Sequence, residues 1–335
     1  MGSMDSIESS DDETRFLLKS KTQQPKYRRV TVEPALFLYS IYFGGSIPLL
    51  QQYVYHKVSI DLFCNMTEFI KDFSDACKIQ TDSDVMFYAH YEEQIQRITA
   101  SWLLFYVVVL LAPCLFTALM LASYSDMAGR KVALIVSIIG SILKCIIIFI
   151  GIWSNLHLAF MCIGIFLEGL LGGGVLFYTA AFSYITDISS KEDRAIRIII
   201  LEFCAAIAIL VSQISVGYLI AAIGFMWPFL ILTGILIMDL IYIQFILQEA
   251  MPQKADPSKA SLFKLNNWKK SFNLYLKDTS DKRCWKLVII LLLVIIFGMA
   301  ELGRTDISTL YILSSPLCFT SVMIGKYLLF RITVL

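Results

Sequence analysis

From Val30 to its last residue the chain is a succession of long apolar runs, interrupted by charge at few points. Runs of about twenty apolar residues have the length that a helix needs to cross about 30 Å of hydrocarbon. Because backbone groups in lipid must be satisfied within their own segment, these runs predict helices rather than strands. The predicted spans are 34–55, 100–122, 132–152, 157–185, 198–221, 227–248, 286–307 and 309–330. The pattern therefore predicts an all-α polytopic membrane protein.

Composition agrees with a bilayer environment. Hydrophobic residues make up 57% of the chain and charged residues 16%, with a mean hydropathy of +0.70. A soluble protein of this composition would precipitate, whereas a chain surrounded by lipid needs it. The net charge of +1 gives no indication of a nucleic-acid partner, and we expect none. The first thirty residues are polar and contain no apolar core of a signal peptide.

Basic residues concentrate in alternate connecting segments and so predict orientation. They lie in the tail at 1–33, the turn at 129–131, the loop at 189–197 and the long loop at 249–285. The loops at 153–157 and 221–227 contain no Lys or Arg. Since loops rich in Lys and Arg stay on the cytosolic side, the N-terminus is predicted to be cytosolic.

The loop at 57–97 then faces the lumen or the exterior. It contains a glycosylation sequon that begins at Asn65, on the side where glycosylation takes place. It also contains Cys64 and Cys77, which a disulfide can join in an oxidising compartment. Two free thiols, or a bond from one of them to Cys318, are the alternatives.

The tail contains a pattern typical of cytosolic sorting signals. Glu13 followed by Leu17 and Leu18 has the form of an acidic dileucine signal, which sorting adaptors read to direct membrane proteins to endosomes and lysosomes. The same pattern also occurs by chance. We expect a lysosomal, endosomal or plasma-membrane location.

Charge inside the spans is the main evidence for function. A charge at bilayer depth costs at least about 2.5–3.5 kcal/mol, so such residues default to functional or paired roles. Lys144 and Asp239 lie at similar depth, which predicts a structural ion pair between their helices. Glu168 precedes a Gly-x-x-x-Gly spacing at Gly169 and Gly173, which lets another backbone approach closely. The three consecutive glycines from 172 to 174 also predict a loosened helix.

Two further groups are candidates for transport chemistry. Glu168 is a candidate proton or substrate group, or else a carboxylate held in a packing seam. Glu301, Arg304 and Asp306 cluster at the outer end of a span, where they form either an outer gate and anion contact or a solvated rim. No His lies at metal-ligand spacing from an acid within a span, so we expect no metal, no cofactor and no enzyme activity. A seven-span receptor is disfavoured by the cytosolic tail.

The loop that follows the second span contains the sharpest motif. Asp126, Gly129, Arg130 and Lys131 form a tight turn with a basic pair. This turn resembles the signature loop of the major facilitator superfamily, in which the Asp and Arg belong to a gate. The segments that begin at Val32, Pro48, Asp187 and Ser315 resemble solute carrier family 46, which includes a proton-coupled folate transporter and lysosomal relatives.

The resemblance implies a facilitator fold that works by alternating access. The expected organisation is a tail at 1–33, a six-span half at 34–248, a basic loop at 249–285 and the start of a second half at 286–335. Glu202 matches the family's proton-coupling acid. A carboxylate in a low-dielectric cavity can load a proton from an acidic lumen, although pairing with Arg197 at the interface is the alternative.

The expected function is proton-coupled symport of a mid-sized organic anion such as a folate, a conjugated sterol or a muropeptide. Gly173 stands where the family's folate-transporting member has an Asp, so folate itself is not specified. A facilitator has about twelve spans, whereas the chain predicts eight. We therefore expect a truncated form. The alternative function is a non-transporting fragment that associates with a full-length relative and regulates it.

Overall fold

The computed structural model describes residues 31–63, 82–250, 283–313, 317 and 319–334. All regular elements in these ranges are helical. They are α1 (Glu33–Phe63), α2 (Asp82–Ala128), α3 (Arg130–Trp153), a 3₁₀ turn (Leu158–Phe160), α4 (Met161–Leu170), α5 (Gly173–Ile188), α6 (Arg194–Ile223), α7 (Met226–Ile241) with a π turn (Tyr242–Ile246), α8 (Arg283–Leu313) and α9 (Ser321–Val334). The predicted all-α architecture is confirmed.

Five described segments are long and apolar enough to cross a membrane. They are Glu92–Ala118, Arg130–Trp153, Leu158–Ile188, Arg194–Ile223 and Met226–Ile246. Helix α1 has 31 residues but is more polar than these five. Its Ser40, Gln51 and Gln52 are buried in the bundle. Polar side chains turned inward are compatible with a span, because protein rather than lipid surrounds them.

The first helix and the third organise the bundle. Helix α1 packs against α6 and α7, and α3 packs against α4 and α5 on one side and α7 on the other. Helix α2 lies against α4 and α5. Large side chains from several of these helices are fully buried, among them Tyr39, Tyr42, Phe177 and Phe229. This packing surrounds the middle of α3 with protein, which allows a charged residue to sit there.

The fourth predicted span is broken in the middle. Helix α4 ends at Leu170 and α5 begins at Gly173, with positive φ angles of 85° at Gly172 and 46° at Gly173. Side chains of α2 add hydrogen bonds at this break: Cys114 Sγ donates to the Gly172 carbonyl at 3.2 Å and Thr117 Oγ1 to the Gly169 carbonyl at 2.9 Å. The predicted loosening at the glycines is confirmed.

Close backbone approach at Gly169 is also confirmed. A Cβ added there would lie 2.8 Å from Cγ of Pro113 and would overlap the carbonyl oxygen of Leu110. The contact joins α2 to α4 directly beside Glu168. It therefore fixes the depth of that carboxylate against its neighbours.

The predicted boundaries of the last two spans, 286–307 and 309–330, are wrong. Helix α8 continues to Leu313, and α9 begins only at Ser321. Nothing between 303 and 313 stops a helix, whereas Pro316 does, since proline disfavours helical backbone at the residue before it. Helix α9 packs on α6, and a Cβ on Gly325 would lie 3.1 Å from the Gln213 carbonyl oxygen.

Candidate functional site

A cavity of about 520 Å³ lies between α1, α2, α4 and α5. Most of its wall is apolar, with Phe43, Leu103 and Val107 among the lining residues. Two charged side chains, Lys144 from α3 and Glu168 from α4, complete the wall. The volume lies within the range of about 300–1,000 Å³ that is typical of sites for small molecules.

Lys144 and Glu168 form a buried ion pair. Lys144 Nζ lies 2.8 Å from Glu168 Oε2, and the two residues are 8% and 4% exposed. The other carboxylate oxygen, Oε1, accepts hydrogen bonds from Tyr42 OH at 2.6 Å and from Ser141 Oγ at 3.2 Å. A buried pair needs such additional hydrogen bonds to offset the loss of water around both charges.

Hydrogen bonds connect the pair to side chains of α1 and α3, and a bond from α3 reaches the backbone of α5. Tyr39 OH lies 3.2 Å from Ser141 Oγ, and Ser137 Oγ donates to the carbonyl of Gly173 at the helix break. The Tyr39 ring stacks on Phe177 with centroids 3.8 Å apart. The ion pair and the glycine break therefore belong to one polar cluster, which consists of Tyr39, Tyr42, Ser137, Ser141, Lys144 and Glu168.

The predicted ion pair between Lys144 and Asp239 is wrong. The neighbour of Lys144 in α3, Cys145, faces Thr233 of α7, which turns Lys144 by about 100° toward α4. The Cα of Lys144 accordingly lies 3.2 Å from a Cβ built on Gly164. Asp239 is fully buried, and neither of its carboxylate oxygens has a hydrogen-bond partner among the described residues.

Glu202 lies apart from this cluster. It is exposed on α6, next to the buried Leu201, and it is not among the residues that line the cavity. Its proposed role in proton coupling stays a prediction. Glu168 was the second candidate on sequence grounds, and it is the one that combines burial, an ion pair and access to the cavity.

The turn at Gly129 forms a second polar site at one end of the bundle. Gly129 has a φ of 112°, as a tight turn between helices requires. Arg130 Nε lies 2.9 Å from Asp187 Oδ2 at the end of α5, and Arg130 Nη1 donates to Ser125 Oγ at 3.2 Å. Asp126 lies in the last turn of α2, but its side chain lies outside the described residues.

Glu249 caps the start of α3 at this turn. Its carboxylate accepts the backbone N–H of Arg130 at 2.9 Å and that of Lys131 at 3.3 Å. Lys131 Nζ in turn donates to the Gln244 carbonyl at 2.9 Å. These contacts tie α3, α5 and the end of α7 together at the basic end of the bundle. Sequence reasoning missed Glu249, although an acid that follows a predicted span on the same side as a basic turn is a usable signal.

The remaining candidate residues fall partly or wholly outside the described part of the chain. Arg304 is exposed on α8, while the side chains of Glu301 and Asp306 are not described, so the outer cluster stays a prediction. Asn65, Cys64 and Cys77 lie outside the described residues. The sorting residues Glu13, Leu17 and Leu18 also lie outside them, and the proposed glycosylation, disulfide and sorting signal stay predictions.

A helical bundle with a broken span and a buried ion pair beside a cavity is the architecture of a secondary membrane transporter. The chain belongs to the Major Facilitator Superfamily, whose sequence profile matches residues 34–329. The fold is the six-helix first half of a facilitator with the start of a second half, as predicted.

Curated relatives agree with the resemblance to solute carrier family 46. The chain is 28% identical over 297 residues to the proton-coupled folate transporter of Rattus norvegicus, which covers 89% of this chain and 62% of the relative. It is 31% identical over 303 residues to the human lysosomal proton-coupled steroid conjugate and bile acid symporter SLC46A3, which covers 88% of this chain and 64% of the relative. The chain therefore spans less than two thirds of the length of these relatives.

Proposed function

We propose that the chain carries out proton-coupled symport of a mid-sized organic anion by alternating access. The observation that carries the proposal is the buried Lys144–Glu168 pair in the cavity wall, with 2.8 Å between Nζ and Oε2. Relatives named as proton-coupled transporters support the coupling to protons. In one cavity wall, the carboxylate of Glu168 can accept a proton and the ammonium group of Lys144 can pair with an anion.

Glu168 is the proposed proton acceptor. It lines the cavity, so it lies beside the space that a proton and a cargo would enter. Protonation removes its charge and with it the attraction that holds Lys144 at 2.8 Å. Glu202 is proposed as a second proton site, since it is exposed on α6 and matches the acid that couples protons in the family.

The contacts at Arg130 are the proposed gate. Closing one end of the bundle while the other is open requires contacts that can form and break, and ion pairs between helix ends serve this purpose. Arg130 with Asp187, and Glu249 with the start of α3, join three helices at the basic end. We propose that this end is cytosolic, because Lys191, Arg194 and the basic turn all lie there.

Uptake into proteoliposomes that contain this chain tests the proposal. Labelled folate, a sulfated steroid and a muramyl peptide are supplied outside, either with an acidic exterior or with equal pH on both sides. We expect the acidic exterior to stimulate uptake of at least one of the three, and Glu168→Gln to remove the stimulation. Lys286→Gln is the control, since Lys286 is an exposed lysine on α8 away from the cavity.

Three results contradict parts of the proposal. Equal uptake of all three cargoes with and without the pH gradient removes proton coupling. Absence of uptake together with co-purification of a full-length relative favours the alternative, in which the chain regulates that relative. Acid-stimulated uptake that is lost in Glu202→Gln but retained in Glu168→Gln moves the proton site to α6.

A further inference from the structure

The position of Lys144 suggests a role beyond pairing with Glu168. Lys144 lines the cavity, and its ammonium group contacts two groups: Glu168 Oε2 at 2.8 Å and the Tyr42 ring, whose centroid lies 5.3 Å away. Among the described residues, Glu168 is the single acid within ion-pair distance. One described carboxylate therefore compensates the charge of Lys144.

We propose that Lys144 binds the anionic group of the cargo, and that it exchanges Glu168 for this group when Glu168 takes up a proton. The inference rests on the proposed function and adds to it the residue that holds the cargo. In the empty site the negative Glu168 neutralises the positive Lys144. In the loaded site Glu168 is a neutral acid, and the cargo anion neutralises Lys144.

Charge balance favours this exchange over binding of either species alone. A buried charge that loses its partner costs several kcal/mol. A proton that enters alone leaves Lys144 unpaired, and an anion that enters alone leaves two negative groups beside one positive group. When one proton and one monoanion enter together, the site stays neutral throughout. The pair thus couples the binding of the two species.

The other titratable side chains near the pair cannot substitute for Glu168. Tyr39 and Tyr42 approach from α1 and Cys114 from α2. Cys145 is the neighbour in α3, and Tyr178 of α5 lines the cavity. Tyrosine and cysteine side chains are ordinarily uncharged at neutral pH. Asp239 lies on α7, which packs against the face of α3 that carries Cys145 rather than Lys144.

The cavity wall defines the chemical class of the cargo. Lys144 is the one cation among the described residues that line the cavity, and aliphatic and aromatic side chains such as Phe43, Ile47 and Leu103 form much of the rest. An amphipathic monoanion places its charged group at Lys144 and its apolar body along these side chains. A second anionic group on the cargo would lie in the cavity without a cation to pair with, at a cost in binding free energy.

Equilibrium binding to the purified chain in detergent tests this exchange without any requirement for transport. The probes are estrone sulfate, which carries one anionic group, its neutral counterpart estrone, and folate, which carries two carboxylates. We expect the wild-type chain to bind estrone sulfate more tightly in acid than at neutral pH, and roughly tenfold or more tightly than estrone in acid. Folate binds more weakly than estrone sulfate.

Variants separate the two residues of the pair. Glu168→Gln frees Lys144 permanently, so estrone sulfate binds tightly at both pH values. Lys144→Gln loses the preference for estrone sulfate over estrone. The double variant Lys144→Gln with Glu168→Gln carries no charge in the site; it binds both steroids equally at both pH values, which guards against misfolding of the single variant. Lys286→Gln, a change on the surface of α8, leaves binding as in wild type.

Either of two results overturns the exchange: a preference for estrone sulfate that survives in the double variant, or a wild-type chain that binds estrone sulfate no better than estrone. Failure of the proposed transport is a separate result. A chain that shows the exchange in binding but no uptake in proteoliposomes keeps Lys144 as the anion-binding residue and loses symport.

Discussion

At the scale of single residues, Glu168 connects three helices through one carboxylate. Tyr42 of α1 and Ser141 of α3 donate to Oε1, while Lys144 of α3 pairs with Oε2. A buried pair of this kind adds little stability compared with apolar side chains of equal volume, but it becomes costly when one partner is lost. The pair is therefore better explained by proton and anion chemistry than by a need for stability.

Removal of one partner of the pair should destabilise the protein more than removal of both. We expect Lys144→Gln to lower the free energy of unfolding by about 3–5 kcal/mol, because the Glu168 carboxylate stays buried without a cation. The double variant Lys144→Gln with Glu168→Gln should recover a large part of this loss. Thermal unfolding in detergent measures both changes.

A matched control uses an ion pair whose acid is exposed to solvent. Lys57 Nζ lies 3.2 Å from Asp61 Oδ1, and the Asp61 side chain is 50% exposed. Asp61→Asn should change stability by less than about 1 kcal/mol.

A double variant of the buried pair that is as unstable as the sum of its single variants would contradict the assignment of Lys144 and Glu168 as partners.

Asp239 should respond differently from Glu168. Both of its oxygens are buried without a described hydrogen-bond partner, so a charge at this position would have no compensation. Asp239→Asn keeps the shape of the side chain and replaces the carboxyl group by an amide that cannot ionise. We expect this change to leave thermal stability within about 1 kcal/mol of wild type or to raise it, whereas a loss of several kcal/mol would show that Asp239 has an ionic partner.

At the scale of elements, the start of α3 depends on the turn before it. Gly129 combines a positive φ of 112° with close packing, since an added Cβ would lie 2.6 Å from Glu249 Oε2. That carboxylate occupies the place of a helix cap, where a negative group also interacts favourably with the helix dipole. The glycine is thus needed both for the backbone angle and for the space that the cap occupies.

Replacement of this glycine should therefore be costly. We expect Gly129→Ala to destabilise the protein by about 1–3 kcal/mol, since backbone in this region is strained for residues with a Cβ. Gly234→Ala in α7 is the control, because nothing lies within 4 Å of the added Cβ there and alanine favours helix. Thermal unfolding of both variants is the measurement. Equal effects of the two changes would contradict the role of the turn.

At the scale of the whole molecule, local properties could be predicted from the sequence and long-range pairing could not. The apolar spans and the break at Gly172 follow from hydrophobicity and from glycine content. By depth in the membrane alone, Lys144 could pair with either Glu168 or Asp239. The choice depends on how each helix is rotated about its own axis. The spacing of residues within one helix does not reveal this rotation. The contacts of Arg130 with Asp187 and Glu249 join residues 57 and 119 positions apart, so no local pattern connects them.

The central claim, that one proton moves with one cargo anion, is tested most directly by running the coupling in reverse. Proteoliposomes with this chain and a pH indicator inside start at equal pH on both sides, and estrone sulfate is added outside. Because coupling is reciprocal, inward movement of the anion must bring protons with it. We predict acidification of the interior with about one proton for each anion, abolished by Glu168→Gln; anion entry without acidification would contradict symport.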